Sequence, residues 1–163
     1  MPGKIYLLQE NGNLQSLTEH PYDREDLLQG LLGRYPDLLA GDQIDEQEPR
    51  RWLLLSREAG IPLKEGGGDQ FALDHLFVDQ DAVPTLVEVK RSSDLRIRRE
   101  VVGQMLDYAA HAVAYWSADA LRTSFETACE RQSIDSGQAV ANLLGTGPDD
   151  EEAVGGFWGQ LKT

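Results

Sequence analysis

Three ionisable residues near the middle of the chain have types and spacing that suit phosphoryl chemistry. Asp74 lies in the apolar run FALDHLFVD, and Glu88 and Lys90 lie in TLVEVK, further along the chain. A charge inside an apolar segment is costly unless another group compensates it. Two carboxylates offer the oxygen ligands that Mg²⁺ prefers, and such an ion can stabilise a phosphate and activate water. A lysine beside them can orient that water or hold the phosphate.

The two runs that carry these residues read as neighbouring strands. Because side chains alternate between the faces of a strand, Asp74 shares a face with Leu76, and Glu88 shares a face with Lys90. The link VDQDAVP is short enough to make the strands antiparallel neighbours. A suitable register would then bring Asp74, Glu88 and Lys90 into one cluster, although the sequence does not fix that register.

A long helix is predicted after the second strand, over SSDLRIRREVVGQMLDYAAHAVAYW, with its cap at Ser92, Ser93 or Asp94. A short strand at AVAYW is the alternative for its end. Gln104 and Tyr108 lie one turn apart on its apolar face. Their amide and hydroxyl groups could contact a phosphate or an ion from beside the strands.

The start of this helix is the basic part of an acidic chain. Residues 90–99 hold five basic side chains and one acidic one, whereas the whole chain has a net charge of −13. A local basic patch of this kind can meet a phosphate backbone. The residues predicted to bind nucleic acid are Arg91, Arg96, Arg98 and Arg99.

The flanking segments predict the remaining elements. KIYLLQENGNLQSL indicates a hairpin around Asn11-Gly12, YDREDLLQGLLGRYPDLL a helix that stops at Pro36, and WLLLSREAG a buried strand. SADALRTSFETACERQ and DSGQAVANLLG indicate two more helices, and AVGGFWGQLKT begins an amphipathic segment. The apolar stripe of that last segment needs a partner surface, either a second copy in a homodimer or a C-terminal region missing from this chain. Its residues are Phe157, Trp158 and Leu161.

The central pattern resembles the PD-(D/E)XK nuclease superfamily. Asp74 is followed by Glu88-Val89-Lys90 and then by Gln104-Met105-Leu106-Asp107-Tyr108. The trailing Gln-x-x-x-Tyr is similar to the RecB-type branch. EDLLQGLLGRYPDLL ahead of LDHLFVD and LVEVKR is similar to the endonuclease NucS-like, restriction-endonuclease-like domains. The resemblance covers residues 20 to 116, and Leu73 stands where the family usually has its proline.

The resemblance implies an α/β fold with a restriction-endonuclease-like core, in which helices flank a mixed central β-sheet. The domains would be an N-terminal β-hairpin at 1–18, the nuclease-like core at 19–116 and a helical C-terminal extension at 117–163. The implied reaction is hydrolysis of phosphodiester bonds, with DNA as the expected substrate. The implied cofactor is Mg²⁺ or Mn²⁺.

The resemblance also implies roles for single residues. Asp74, Glu88 and the main-chain carbonyl of Val89 would hold the ion. Lys90 would position the attacking water or stabilise charge. Two residues of the long helix would support the substrate or the metal, and an acid on the first helix would join the site. These three are Gln104, Tyr108 and Glu25.

Composition limits the class of protein. The net charge of −13, from 28 acidic and 15 basic side chains, argues against a general nucleic-acid coat protein, which would be basic. The single cysteine excludes a disulfide within the chain and favours a reducing compartment. No apolar run approaches the roughly 20 residues of a membrane span. We therefore expect a cytoplasmic protein that does not bind membranes.

Two other interpretations of the sequence stay open. The chain could be a catalytically inactive module of nuclease fold that binds nucleic acid or a partner protein through its basic helix start. It could also be a dimerisation or scaffold domain that associates through its C-terminal stripe. For Glu88 and Lys90 themselves, the alternative to a catalytic role is an exposed edge-strand pair, which contributes little. For Glu25 the alternative is an exposed first-turn acid that complements the helix dipole.

Overall fold

The architecture of the chain is given by a computed structural model. The structure describes residues 5–18, 24–62, 69–91, 100–147 and 150–161. These ranges form a mixed α/β protein with two antiparallel sheets and five α-helices. The strands are β1 (Ile5–Leu8), β2 (Leu14–Leu17), β3 (Trp52–Pro62), β4 (Asp69–Asp79) and β5 (Pro84–Val87). The helices are α1 (Glu25–Arg34), α2 (Val102–Tyr115), α3 (Ala118–Gln132), α4 (Ser136–Leu144) and α5 (Glu151–Gly159).

The predicted N-terminal hairpin is confirmed. β1 and β2 pair antiparallel, with Ile5 opposite Leu17 and Leu8 opposite Leu14. The turn between them contains Gly12 at a φ of 82°, a left-handed conformation that glycine adopts without steric cost. The two strands form a sheet of their own, separate from the sheet that carries Asp74.

The central sheet has the order β3-β4-β5, and both of its pairings are antiparallel. The sequence predicted a mixed sheet, which needs a parallel strand after the crossover helix. Within the described residues, the chain instead passes from α2 into the helices α3, α4 and α5. The α/β class is therefore confirmed, and the described sheet is antiparallel throughout.

The turn between β4 and β5 is held by one buried acid. Asp79 is 4% exposed, and its carboxylate accepts the main-chain N–H groups of Asp81 at 3.0 Å and Val83 at 2.9 Å. Arg50 completes the arrangement, because its guanidinium lies 3.1 Å from the same carboxylate. These contacts stabilise the short turn, which helps to fix the register of β4 and β5 beside the candidate site.

Helices cover both faces of this sheet. On one face, Leu32 of α1 packs with Trp52, Phe77 and Val89. On the other face, a larger apolar cluster joins β3 and β4 to the later helices through Tyr108 and other buried side chains. Within the described ranges, none of the helices combines the length and the apolarity that crossing a bilayer requires.

In the later part of the chain, the helix predicted through AVAYW is confirmed over its alternative, and the prediction for the C-terminal stripe is wrong. The segment AVAYW contains no strand, because α2 runs through to Tyr115 and the indole Nε1 of Trp116 donates to the carbonyl of Gly60 at 3.2 Å. The C-terminal stripe was expected to need an outside partner, yet Phe157, Trp158 and Leu161 are 2%, 7% and 8% exposed. The partner of the stripe is the core of the same chain, because all three residues belong to its larger cluster.

We predict that Trp158→Ala lowers the free energy of unfolding by about 3–5 kcal/mol, the usual cost of removing a large buried aromatic side chain. The measurement is urea denaturation followed by circular dichroism. Leu106→Ala is the matched control: Leu106 is 68% exposed, so its truncation should cost less than about 0.5 kcal/mol. Equal stability of Trp158→Ala and the wild type would show that the stripe is not part of the core.

Candidate active site

The register of β4 and β5 brings the two predicted acids together. His75 pairs with Val87 and Leu76 with Leu86, so the next position places Asp74 opposite Glu88. The main-chain N–H of Asp74 lies 3.5 Å from Oε2 of Glu88. The sequence prediction that these carboxylates converge is therefore confirmed in its geometry.

The second strand ends earlier than TLVEVK predicted. β5 stops at Val87, and Glu88 to Lys90 lie just beyond its end. The main-chain N–H of Val89 donates to Oδ2 of Asp74 at 2.7 Å, so a side chain takes over as its hydrogen-bond acceptor. Because the acceptor is a side chain and not a main-chain carbonyl of β4, regular strand pairing ends where the segment Glu88 to Lys90 begins.

Glu88 is more buried than its ion-pair partner Lys90: its side chain is 6% exposed, against 26% for Lys90. The ammonium of Lys90 lies 2.6 Å from Oε1 of Glu88, and the amide Nε2 of Gln104 approaches the same oxygen at 3.5 Å. A buried carboxylate is costly unless charge and hydrogen bonds compensate it. Lys90 and Gln104 supply that compensation.

Helix α2 closes the cluster from the side. Gln104 donates from Nε2 to the hydroxyl of Tyr108 at 2.5 Å, and Tyr108 is 5% exposed. The Tyr108 ring packs against Phe71 of β4, with centroids 5.3 Å apart. The pair predicted from Gln-x-x-x-Tyr thus forms a hydrogen-bonded bridge between the helix and Glu88.

Electrostatics keep Lys90 charged. Burial lowers the pKa of Lys90, but the hydrogen bond and charge of Glu88, with the charges of Asp74 and Glu25, outweigh that effect. The pKa of Lys90 is therefore raised above its usual value of 10.5. The site holds a permanent positive charge beside its carboxylates at neutral pH.

Glu25 lies at the rim of the cluster. Its Oε1 accepts the main-chain N–H of Arg91 at 3.0 Å, and the Arg91 side chain is 3.9 Å away. This contact joins the start of α1 to the segment after β5. Arg91, predicted to bind nucleic acid, is thus paired with an acid, while Arg96, Arg98 and Arg99 lie outside the described residues, as do the predicted caps Ser92, Ser93 and Asp94.

Sequence reasoning did not single out Glu58. The pairs Arg57–His75 and Ala59–Leu73 flank it, so Glu58 lies opposite Asp74 in β3. It is exposed and has a φ of 51°, a left-handed conformation that costs about 1–2 kcal/mol for a residue with a side chain. No sequence signal indicates it, because such a φ is expected of glycine or asparagine.

His75, the residue after Asp74 in β4, lies in the interior of the protein. It is 0% exposed, stacks on Phe77 with centroids 5.7 Å apart, and lies 2.8 Å from the carbonyl of Gln29 through Nε2. Since a carbonyl can only accept, Nε2 is the protonated nitrogen. Burial lowers the pKa of His75, which favours this neutral form.

A cavity of about 1200 Å³ lies elsewhere, between α1, β3 and α3. Among the residues that line it are Gly33, Arg57, Thr123 and Cys129. None of the residues of the Asp74 cluster lines it. Size alone therefore does not indicate the chemistry of this chain, and the cluster at the end of β5 is the stronger candidate.

The donor set of the cluster fits a hard divalent cation with few protein ligands. Within the described residues, no three His, Cys, Asp or Glu side chains are grouped to enclose a metal. Mg²⁺ commonly takes only one or two carboxylates and completes its shell with water and phosphate, which matches Asp74 and Glu88. The main-chain carbonyl of Val89 stays a predicted ligand. The main-chain N–H of the same residue donates to Asp74.

We predict that Asp74→Ala lowers the free energy of unfolding by about 1–3 kcal/mol, because it leaves the N–H of the buried residue Val89 without its acceptor. Asp74→Asn retains a side-chain oxygen and should be closer to the wild type. Chemical denaturation of the three proteins measures the difference. Indistinguishable stabilities for the alanine and asparagine variants would contradict this role.

We predict that Lys90→Met destabilises the protein by about 3–5 kcal/mol in metal-free buffer, because it leaves the Glu88 carboxylate buried without its counter-ion. Adding Glu88→Gln should recover part of that loss. A pKa raised in the folded state contributes stability that is present below 10.5 and is lost as pH rises through the folded value. The difference from the wild type should therefore be constant from pH 6 to about 9 and shrink in stronger base. A difference that grows with pH would refute the ion pair as its source.

Comparisons with known proteins do not assign this arrangement to a family. No protein-family model matches the chain, and no curated protein or solved structure does. What the cluster can do chemically follows from the contacts given above.

Proposed function

We propose that the chain is a metal-dependent nuclease that hydrolyses phosphodiester bonds, with DNA as its substrate. The observation that carries the proposal is the convergence of five predicted residues into one bonded cluster at the end of β5. Strand β4, the segment directly after β5 and helix α2 supply these residues, which are Asp74, Glu88, Lys90, Gln104 and Tyr108. On this proposal, β3, β4 and β5 with α1 and α2 belong to a restriction-endonuclease-like core.

Asp74 and Glu88 would hold Mg²⁺ or Mn²⁺, which supplies positive charge to the phosphate and lowers the pKa of the attacking water. In hydrolysis, an oxygen from water forms a bond to phosphorus, one ester P–O bond breaks, and the departing oxygen gains a proton. Each of these steps places charge near the two carboxylates. The protein must therefore supply cationic and hydrogen-bonding groups at the same place.

Lys90 is the cationic group of the cluster. Its raised pKa keeps the ammonium protonated, so it would act through its charge and its N–H groups and would not accept a proton. It would stabilise negative charge on the phosphate or orient the attacking water. Gln104 and Tyr108 would keep Glu88 oriented from the side of the helix.

We predict that Asp74→Asn, Glu88→Gln and Lys90→Met each reduce cleavage at least a hundredfold, the lower range for loss of an electrostatic catalytic group. The assay incubates labelled single-stranded and duplex DNA and RNA with Mg²⁺ or Mn²⁺. Asp107→Asn is the matched control, since Asp107 lies on α2 with a side chain that is 54% exposed and contacts His111. Thermal melting with and without Mn²⁺ separates lost catalysis from lost folding.

Full cleavage by all three variants would refute the assignment. Binding of nucleic acid without metal-dependent cleavage, unchanged by Glu88→Gln, would instead indicate a catalytically inactive module of the same fold. A protein that the metal stabilises less after Asp74→Asn would support the ion site independently of activity.

A further inference from the structure

His75 is adjacent to the candidate site in sequence, but its side chain is not part of the Asp74 cluster. It follows Asp74 in β4, and consecutive strand residues point to opposite faces, so the two side chains serve opposite sides of the sheet. Asp74 joins the cluster with Glu88, whereas Nε2 of His75 lies 2.8 Å from the main-chain carbonyl of Gln29 in α1. The residue next to Asp74 is thus connected to α1 by a hydrogen bond, which is directional.

The same helix reaches the site at its other end. Glu25 is one turn before Gln29 on α1, and its carboxylate accepts the main-chain N–H of Arg91 at 3.0 Å. Residues four apart lie on the same face of a helix. The histidine bond and the glutamate contact are therefore two attachments of one helix face, the first to β4 and the second to the segment after Lys90.

Apolar packing alone does not set the position of α1 along the sheet. Leu28 and Leu32 pack against Phe77 and Val89, and such contacts are non-directional. A helix that slipped by one turn would move Glu25 by about 5.4 Å. α1 is also close to β4 near its C-terminal end, where a Cβ atom at Gly33 would lie in ordinary van der Waals contact with Nε2 of His75, at 3.8 Å.

We propose that His75 is a positioning residue that fixes α1 in register so that Glu25 meets Arg91 beside the candidate active site. This role deepens the proposed nuclease function and rests on it for any effect on cleavage. The hydrogen-bond geometry itself does not depend on that function. Burial of the whole imidazole, with Nδ1 lacking a partner among the described residues, shows that one directional bond is what the histidine contributes here.

The direct test is amide hydrogen exchange measured by NMR. His75→Phe keeps a ring against Phe77 but removes the donor, and we expect exchange of the Arg91 amide to rise about tenfold, the loss of one hydrogen bond to a charged acceptor. Glu25→Ala should give the same rise, and adding His75→Phe to it should add nothing further. His75→Gln places an amide N–H near the position of Nε2 and should restore protection. Leu32→Val, at the same helix–sheet interface, should not change the exchange of Arg91.

The corresponding activity readout is the Mn²⁺ concentration for half-maximal cleavage. We expect His75→Phe to raise it in the wild-type background and not in Glu25→Ala. An Arg91 amide that exchanges within twofold of the wild type in His75→Phe would overturn the inference, even if cleavage fell. The other outcome is that His75→Phe raises exchange of the Arg91 amide as expected, but the wild-type chain cleaves no nucleic acid. That result would refute the nuclease proposal and leave the positioning role standing.

A measurement on the unmodified protein covers the case in which His75→Phe does not fold. Long-range ¹H–¹⁵N correlation spectra report which imidazole nitrogen carries the proton. We expect the Nε2–H tautomer with an unprotonated Nδ1. The opposite tautomer would leave the Gln29 carbonyl without its donor and would overturn the inference.

Discussion

The burial of the Glu88 carboxylate is the constraint on which the candidate site depends. A carboxylate whose side chain is only 6% exposed is costly to bury without partners, and those partners come from different parts of the chain. Lys90 comes from the same segment, and Gln104 comes from α2. The contacts that compensate the Glu88 carboxylate therefore exist only when the sheet and α2 are assembled, so an intact site depends on an intact fold.

The end of β5 brings a carboxylate of the candidate site into contact with the main chain. A strand that continued past Val87 would satisfy its main-chain groups within the ladder, which leaves side chains to project on either face. Here Asp74 accepts the N–H of Val89, so a carboxylate takes part in main-chain pairing. The same contact that ends the strand brings Asp74 to the main chain between Glu88 and Lys90.

Much of this arrangement could be predicted from local sequence, because it depends on alternation and on a short link. The strands around Asp74 and Glu88, their antiparallel pairing and the inclusion of Gln104 were all expected. Non-local features could not be predicted. The early end of β5 depends on the Asp74 side chain, fifteen positions from Val89 in sequence. The burial of Trp158 depends on α3 and α4, to which α5 packs. The left-handed Glu58 has no local signal at all.

Glu58 shows how the fold limits the number of acids in the cluster. A regular β3 would place its side chain on the face of Asp74, so that three acids would lie side by side across the sheet. Like charges at such positions repel one another, and the left-handed φ of Glu58 breaks the alternation at this point. The cluster then contains two carboxylates and one ammonium. On the proposed function, the two carboxylates would hold a divalent cation and leave its other coordination positions to water and phosphate.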